Sequence, residues 1–230
     1  MESHYLKNNL IITDDGSSSV FSEKFNCAYH SVHGAIQESD HIFIANGLRY
    51  YHEKTNNPLI KILEFGFGTG LNALLSLSYS QTNGIKIDYS AIEAYPISDE
   101  LVSALNYTHN DELSKFKEEF LSMHSTQNEI LRIGNYFSFS KSISTFEDYK
   151  TSEKFDVIFF DAFGPDEQPH LWNRPFLDKL PEFLNPDAIL ITYSVKGTFK
   201  RALYELGFKI SKLKGPPGKR EILRAQKLTF

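Results

Sequence analysis

The sequence has 230 residues, 41% of them hydrophobic and 23% charged, which fits one globular domain with a sizeable core. A single cysteine, Cys27, excludes a disulfide framework and a thiolate metal cluster. No apolar stretch approaches the ~20 residues of a membrane helix, and the first residues lack a secretion signal pattern. We therefore expect a single cytoplasmic domain.

The net charge of −5 is unevenly distributed along the chain. Residues 196–227 contain ten Lys or Arg and two Glu, a net charge of +8, whereas the remainder carries −13. Such asymmetry is typical of a polyanion-binding face on an acidic body. Solvated helix and strand faces explain it equally well, so charge alone leaves both interpretations open.

Apolar runs alternate with helical patterns from Pro58 onward, after a turn-rich start that predicts a loose arm or short strands. Buried strands are predicted at 59–65, 85–93, 155–161 and 188–195, a weaker one near the end of 130–146, and two closing strands at 208–213 and 221–228. Helices are predicted at 71–80, from Ser98 onward, at 112–123, at 171–184 with interruptions by prolines, and at 198–206.

This alternation predicts an α/β fold with a mostly parallel sheet covered on both faces. No helix separates the last two strands, so we expect them to pair as an antiparallel hairpin.

A glycine-rich turn, Gly66-Phe67-Gly68-Thr69-Gly70, joins the strand 59–65 to the next helix. Glycine lets a backbone approach a ligand closely, and the helix N-terminus presents free amides. NAD-binding loops usually read G-x-G-x-x-G, whereas this one reads G-x-G-x-G with Glu64 before it. The tighter form resembles motif I of the class I S-adenosylmethionine-dependent methyltransferases. Alone it also fits a structural turn or an NAD site.

Glu93 lies 23 residues beyond Gly70, at the end of the second predicted strand. A carboxylate there can accept hydrogen bonds from ribose hydroxyls, a role that NAD and S-adenosylmethionine would both use. A solvated glutamate at a strand end is the alternative. The loop, the acid and their separation together favour a nucleoside-type ligand.

Asp161 ends the apolar run of the strand 155–161, at the sheet edge where ligands bind in such folds. A carboxylate there can hold an amine by a charge-assisted hydrogen bond. Capping of the following turn, Ala162 to Pro165, is the alternative role.

Five stretches spread from Asp14 to Leu223 match one family: "DDGSSSVFSEKF", "YHSVHGAIQESDHIFIANGL", "LEFGFGTGLN", "FDVIFFDAFGPDEQPHLW" and "GPPGKREIL". Together they resemble the MnmD family, the methyltransferase half of bifunctional MnmC. The resemblance implies a class I methyltransferase: one Rossmann-like domain with a seven-stranded, mostly parallel sheet and a C-terminal antiparallel hairpin. Residues 58–230 would form the core, and residues 1–57 an N-terminal extension that covers the cofactor site.

The resemblance also implies an activity. A methyl group would pass from S-adenosylmethionine to the exocyclic amine of 5-aminomethyl-2-thiouridine at the tRNA wobble position, giving 5-methylaminomethyl-2-thiouridine. No second glycine-rich loop for a flavin (FAD) oxidase domain is present, so we expect the free-standing methyltransferase.

Site residues follow from the same resemblance. The methionine part of the cofactor would meet Glu64, Gly66, Phe67, Gly68 and Gly70; the ribose would meet Glu93; Asp161 would lie beside the transferred methyl group; and Tyr29, Ser31 and Glu38 would cover the cofactor. The adenine position is expected within residues 141–147, where the sequence departs from the usual Gly-Asp pattern and no residue is assigned.

Substrate contacts are expected from aromatic and basic residues. Phe163 and Trp172 would stack on the uridine, although Trp172 is equally plausible as a core residue. The basic side chains expected to face phosphates are Lys214, Lys219 and Arg220. The histidines His30, His33 and His41 lack the carboxylate neighbours of a recognisable ligand pattern, so no metal is expected.

Two other functions remain open. A methyltransferase or aminopropyltransferase of the same fold could act on a small amine or polyamine, but such an enzyme has no need of the basic C-terminal segment. A non-catalytic module that binds tRNA or a nucleotide is opposed by the presence of Glu64, Glu93 and Asp161 together.

Overall fold

Residues 9–228 of the protein are described by a computed structural model. The strands are β1 (Leu10–Ile12), β2 (Ser18–Ser22), β3 (Cys27–Ala28), β4 (Leu59–Phe65), β5 (Lys86–Glu93), β6 (Ile130–Ile133), β7 (Phe137–Ile143), β8 (Phe155–Phe160), β9 (Leu184–Thr192), β10 (Phe208–Lys214) and β11 (Glu221–Lys227). The part of the predicted N-terminal arm before residue 9 lies outside the described residues.

The α-helices are α1 (Ala35–Ser39), α2 (Tyr50–Thr55), α3 (Leu71–Asn83), α4 (Asp99–Ala104), α5 (Lys117–Ser125) and α6 (Gly197–Glu205), and π-helical turns at Asp40–Arg49 join α1 to α2. Short 3₁₀ turns occur at Tyr107–His109, Ser114–Phe116, Pro169–Trp172 and Leu177–Phe183. The last two replace the helix predicted at 171–184, because Pro175 and Pro181 lack the amide hydrogens that an α-helix needs.

The main sheet has the strand order β10-β11-β9-β8-β4-β5-β7-β6. Its centre, from β9 to β7, is parallel, and β10 and β11 pair as the predicted antiparallel hairpin. The α/β fold class is confirmed, but the sheet has eight strands instead of seven. Residues 130–143 form an antiparallel hairpin around Gly134 (φ +58°), where the sequence predicts only one strand.

Successive side chains of β4 point to opposite faces of the sheet, and both faces are buried, as expected for a strand at the centre of the sheet. Ile60 and Ile62 pack into the core on one face, whereas Leu63 and Phe65 pack into the core on the other. All six residues of β8 are buried in the same way. Parallel strands that are covered on both faces end at a common edge, so Phe65, Glu93 and Phe160 come together there.

Helix boundaries follow the predicted signals. The helix predicted at 71–80 is α3, whose buried side includes Leu71, Leu74, Leu75 and Leu77. Ser98 caps α4 by accepting a hydrogen bond from the Leu101 amide (3.4 Å). Gly207 ends α6 with a φ of +84°, a conformation that glycine adopts without strain. Within residues 9–228, no helix is long and apolar enough to cross a membrane.

The N-terminal extension forms its own three-stranded antiparallel sheet, β1-β2-β3, which Asn106 fastens to the core. The Ser18 amide donates to Asn106 Oδ1 (2.7 Å), and the Asn106 amide donates to Ser18 Oγ (2.9 Å). Asn106 Nδ2 also donates to the carbonyl of Gly16 (2.9 Å). One side chain therefore holds the loop before β2 and the start of that strand.

We predict that Asn106→Ala loosens the N-terminal sheet. The change removes two side-chain hydrogen bonds, worth about 1–3 kcal/mol together. Hydrogen exchange measured by mass spectrometry should therefore accelerate in β1 and β2 before it does in β4. Asn83→Ala, which removes only a local bond to the Tyr79 carbonyl, is the matched control. Equal protection of β2 in both variants would contradict the assignment.

Candidate active site

A cavity of about 370 Å³ opens at the carboxyl edge of the sheet, beyond β4, β5 and β8. Its walls come from the N-terminal extension, the glycine turn after β4, the end of β5, the loop after β8 and the loop between β10 and β11. Sites for small ligands and cofactors have volumes of about 300–1,000 Å³. The cavity is therefore large enough for such a ligand.

The glycine turn forms the floor of this cavity in a conformation that only glycine tolerates well. Gly66 has a φ of +96°, and a Cβ there would lie 2.6 Å from the carbonyl oxygen of Asp161. Gly68 has a φ of +51°, and its Cβ would lie 2.9 Å from the ring of Tyr29. Gly70 (φ +74°) is not part of the cavity lining; it precedes α3, and a Cβ there would lie 2.8 Å from His124 Nε2. At Gly66 and Gly68 the turn therefore exposes main-chain atoms to the cavity with no side chain between.

Glu93 is fixed by the backbone on both sides. Its Oε2 atom accepts a hydrogen bond from the Gly68 amide (2.7 Å), and its Oε1 atom accepts one from the Tyr95 amide (2.7 Å). The side chain is buried, and this burial raises the pKa of Glu93 although both hydrogen bonds lower it. Each oxygen keeps a lone pair that can accept a hydroxyl hydrogen from a ligand.

Asn72 joins the two other predicted acids. Its Nδ2 atom donates to Glu64 Oε1 (2.9 Å) and to Asp161 Oδ2 (2.8 Å). Glu64 is completely buried behind Asn72, off the cavity lining, and burial raises its pKa well above the usual value. The position of Asn72 near the start of α3, two residues after Gly70, is the only sequence signal for this role, and the sequence analysis missed it.

Asp161 follows β8 on the cavity floor, where its amide donates to the carbonyl of Phe65 (3.0 Å). Burial raises the pKa of Asp161 to about 7, although the hydrogen bond from Asn72 opposes that shift. Near neutral pH this group therefore exchanges between acid and carboxylate, as a residue that accepts and releases protons must.

Phe163 lines the cavity and is held rigidly by its own loop. Its amide donates to Gln168 Oε1 (3.1 Å), and its carbonyl accepts from the indole Nε1 of Trp172 (2.7 Å). The prediction that Trp172 stacks on the substrate is wrong. Trp172 is 1% exposed and packs in the core against Phe160, so its role is to support Phe163 from behind.

The predicted covering residues come from the N-terminal extension. Tyr29, Ser31 and Glu38 all line the cavity, and the ring of Tyr29 lies over Gly68. Glu38 Oε1 accepts a weak hydrogen bond from the Ser31 amide (3.4 Å), and Glu38 Oε2 accepts one from Lys219 Nζ (2.7 Å). The extension and the β10–β11 loop therefore meet at the cavity.

The three predicted phosphate contacts have different environments. Lys219 lines the cavity and is paired with Glu38, whereas Lys214 and Arg220 are exposed on either side of the same loop. Of the ten basic residues in 196–227, five have no ion pair and no side-chain hydrogen bond within residues 9–228: Lys200, Arg201, Lys209, Lys214 and Arg220.

The histidines of the N-terminal extension each make a separate contact. His30 Nε2 lies 2.8 Å from Thr69 Oγ1, His33 Nδ1 lies 3.2 Å from Asp14 Oδ2, and His41 Nε2 donates to the carbonyl of Lys214 (2.8 Å). In the described part of the chain, no group of three His, Cys, Asp or Glu has the arrangement of a metal site. That the reaction needs no metal stays a prediction.

Residues 141–147, where the adenine position was expected, do not all reach the cavity. Phe146 lines the cavity, whereas Lys141 is buried below it. Phe25 and Tyr95, which the sequence analysis did not consider, also line the cavity, and Phe25 stacks on Phe163 with 4.3 Å between ring centroids.

Comparison with known proteins decides the family. A model of S-adenosyl-L-methionine-dependent methyltransferases matches residues 111–228, just over half of the chain. The chain belongs to this family. The matched range includes Asp161 and the C-terminal hairpin, and the predicted cofactor, S-adenosylmethionine, is confirmed.

Curated relatives extend the similarity toward the N-terminus. The tRNA 5-methylaminomethyl-2-thiouridine biosynthesis bifunctional protein MnmC of Leptospira borgpetersenii serovar Hardjo-bovis is 31% identical over 216 residues, covering 88% of this chain and 32% of that protein. The protein of the same name from Campylobacter fetus subsp. fetus is 27% identical over 215 residues, covering 90% and 34%. The methyltransferase thus spans about a third of their length, and the MnmD resemblance is confirmed.

A solved structure shows the same fold. The crystal structure of MNMC2 from Aquifex aeolicus matches with a TM-score of 0.80 and 23% identity, covering 96% of this chain and 72% of that one. The α/β fold that the MnmD resemblance implies is thereby shown for this chain.

We predict that Gly66→Ala weakens cofactor binding. A left-handed backbone costs a residue with a Cβ roughly 1–2 kcal/mol, and the clash with the Asp161 carbonyl adds to this, so affinity for S-adenosylhomocysteine should fall at least about tenfold. Calorimetric titration measures this change. Gly197→Ala, whose Cβ meets no atom within 4 Å, is the control and should bind normally. Unchanged affinity in both variants would place the cofactor elsewhere.

Proposed function

We propose that the protein methylates the exocyclic amine of 5-aminomethyl-2-thiouridine at the wobble position of tRNA, with S-adenosylmethionine as donor, to give 5-methylaminomethyl-2-thiouridine. The observation that carries the proposal is the Asp161 carboxyl group on the floor of a cavity built around a glycine turn. The names of the curated relatives support this choice of nucleoside.

The residues of the cavity fit S-adenosylmethionine. The Oδ1 atom of Asn72 is buried and has no hydrogen-bond partner within residues 9–228, so it is suited to accept from an ammonium group. In this proposal the methionine part lies on Gly66, Phe67 and Gly68, with Glu64 and Gly70 behind them. Glu93 accepts from the ribose hydroxyls.

The N-terminal extension would close this site. Tyr29, Ser31 and Glu38 line the cavity, and the Tyr29 ring lies over Gly68, which supports a covering role for the described part of residues 1–57. We propose that the rest of the chain, from residue 58, forms the catalytic core of the same single domain.

Bound S-adenosylmethionine supplies a methyl group on a positively charged sulfonium. The acceptor is a primary alkylamine, which like a lysine side chain is mostly protonated at neutral pH and must lose a proton before its lone pair can react. Asp161 is suited to bind the ammonium, take its proton and pass it to water. Asn72 holds Oδ2 of Asp161, which leaves Oδ1 free to face the amine. Accurate positioning would account for most of the acceleration.

Stacking of the uridine on the face of Phe163 that Phe25 covers requires a movement. Phe25 covers the ring of Phe163 with an interplanar angle of 29°, and rings 4.3 Å apart leave no room for a base between them. The base would therefore displace Phe25, which belongs to the turn between β2 and β3, while the bonds from Gln168 and Trp172 hold Phe163 in place.

Phosphate contacts are best assigned to Lys214 and Arg220. Both are exposed next to the loop that carries Lys219 into the cavity, and neither forms an ion pair within residues 9–228. A transferase for a free amine or polyamine has no need of these cations, so they favour RNA over that alternative. A non-catalytic module would not need Asp161 at the cavity.

We predict that Asp161→Asn reduces methylation of tRNA carrying 5-aminomethyl-2-thiouridine by about 100-fold or more, because the amide cannot accept the proton. Nucleoside mass spectrometry would measure the product. The wild-type profile of kcat/KM against pH should bend near 7, where Asp161 becomes ionised, with lower activity on the acid side. The variant should lack this bend. Equal turnover, with equal cofactor binding, would reject the role of Asp161.

We predict that Lys214→Glu and Arg220→Glu weaken tRNA binding and reduce its dependence on salt by about one phosphate contact each. Filter-binding titrations at several salt concentrations would measure both effects. Lys209→Glu is the control, because Lys209 is also exposed but lies toward the opposite end of β10 from Lys214. Similar losses in all three variants would indicate a general charge effect instead of a contact surface.

A further inference from the structure

We propose that Lys141 is a positioning residue for the nucleoside half of the cofactor site. It lies on β7 and is 2% exposed, and its ammonium contacts the ring of Phe67 in the glycine turn. Its partner in the register of β5 and β7 is Ala91, two residues before Glu93. The inference rests on the proposed cofactor site, and in particular on Glu93 as the acid that binds the ribose.

Lys141 first holds the end of a helix. Its Nζ atom donates to the carbonyl of Met123 (3.1 Å) and to that of His124. Both carbonyls belong to the last turn of α5, where no further helical amide is available to them. A cation at this end also complements the negative pole of the helix dipole.

His124 transmits this anchoring to the glycine turn. Its Nε2 atom donates to the carbonyl of Thr69 (3.1 Å), and its ring packs against Phe67 with 4.9 Å between centroids. Burial lowers the pKa of His124 to about 3, so the ring is neutral and keeps this donor over the working pH range. A shift of the α5 terminus would therefore move the backbone on which the cofactor is proposed to lie.

Lys141 also supplies charge. Its Nζ atom lies 4.8 Å from the centroid of the Phe67 ring, and the carboxylates that act on it are Glu93 on β5 and Asp99 on α4. His124, on α5, faces it as a neutral ring. Burial lowers the pKa of Lys141 to about 8, whereas the positive charge of Lys141 favours the ionised form of Glu93. An ionised Glu93 is the stronger acceptor for ribose hydroxyls.

The test measures binding of 5′-methylthioadenosine, which lacks the amino-acid part of the cofactor and has no group that titrates between about pH 6 and about pH 9. Wild-type affinity should fall as pH is lowered and Glu93 takes up a proton, because the protonated carboxyl group is the weaker acceptor. In Lys141→Met this fall should begin at a higher pH than in the wild type, because Glu93 without the neighbouring cation ionises at a higher pH. Lys86→Met, at the exposed start of β5, should match the wild type.

If Lys141 only stabilised the fold, its replacement would not change the shape of the pH profile. Uniformly weaker binding by Lys141→Met, with a pH profile parallel to that of the wild type, would overturn the proposal. Glu93→Gln separates this outcome from failure of the site itself. If Glu93→Gln binds normally, the proposed cofactor site is wrong, whereas weak binding by Glu93→Gln together with parallel profiles rejects only the role of Lys141.

A second measurement covers the case in which Lys141→Met does not fold. The titration of the Lys141 side chain is followed by NMR in the wild type and in Glu93→Gln. The proposal requires a midpoint near pH 8 in the wild type and a lower midpoint in Glu93→Gln, since the neighbouring carboxylate no longer stabilises the ammonium. Equal midpoints would overturn it.

Discussion

The amide of Asn72, shared between Glu64 and Asp161, is the contact on which the architecture of the site depends. Both acids are placed by adjacent parallel strands, since Glu64 pairs with Phe159 in the register of β4 and β8. Burial raises the pKa of each carboxyl group, which makes it unfavourable for both to be ionised together. The neutral amide of Asn72 donates a hydrogen bond to one oxygen of each carboxyl group. Asp161 can therefore still change its protonation state near neutral pH.

The cavity above this bridge is closed by segments that are far apart in the chain. Tyr29 covers the glycine turn, and Glu38 reaches Lys219 across 181 positions of sequence. Lys219 at the cavity is therefore paired with a carboxylate, whereas the exposed Lys214 and Arg220 of the same loop form no ion pair within residues 9–228. In the proposed function, the first pair closes the cavity and the other two cations bind phosphates.

Side-chain hydrogen bonds hold the loops of the cavity lining in place. The loop around Phe163 is held by Gln168 and Trp172, and the glycine turn is held by Glu93 and His124. These four hydrogen bonds are buried or partly buried, which limits the competition from water. The lining residues therefore keep their positions although they sit on loops.

From residue 58 onward, most strands and helices, the glycine turn and the acids at two strand ends were determined by sequence alone. Periodicity of apolar residues and the conformational freedom of glycine are local properties, as Leu59–Phe65 and Gly66 illustrate. The additional strand β6, the burial of Trp172 and the roles of Asn72 and Lys141 were decided only by tertiary structure. Their contacts join residues distant in sequence, such as Asn72 and Asp161, 89 positions apart, and no local pattern encodes which of many polar side chains will meet.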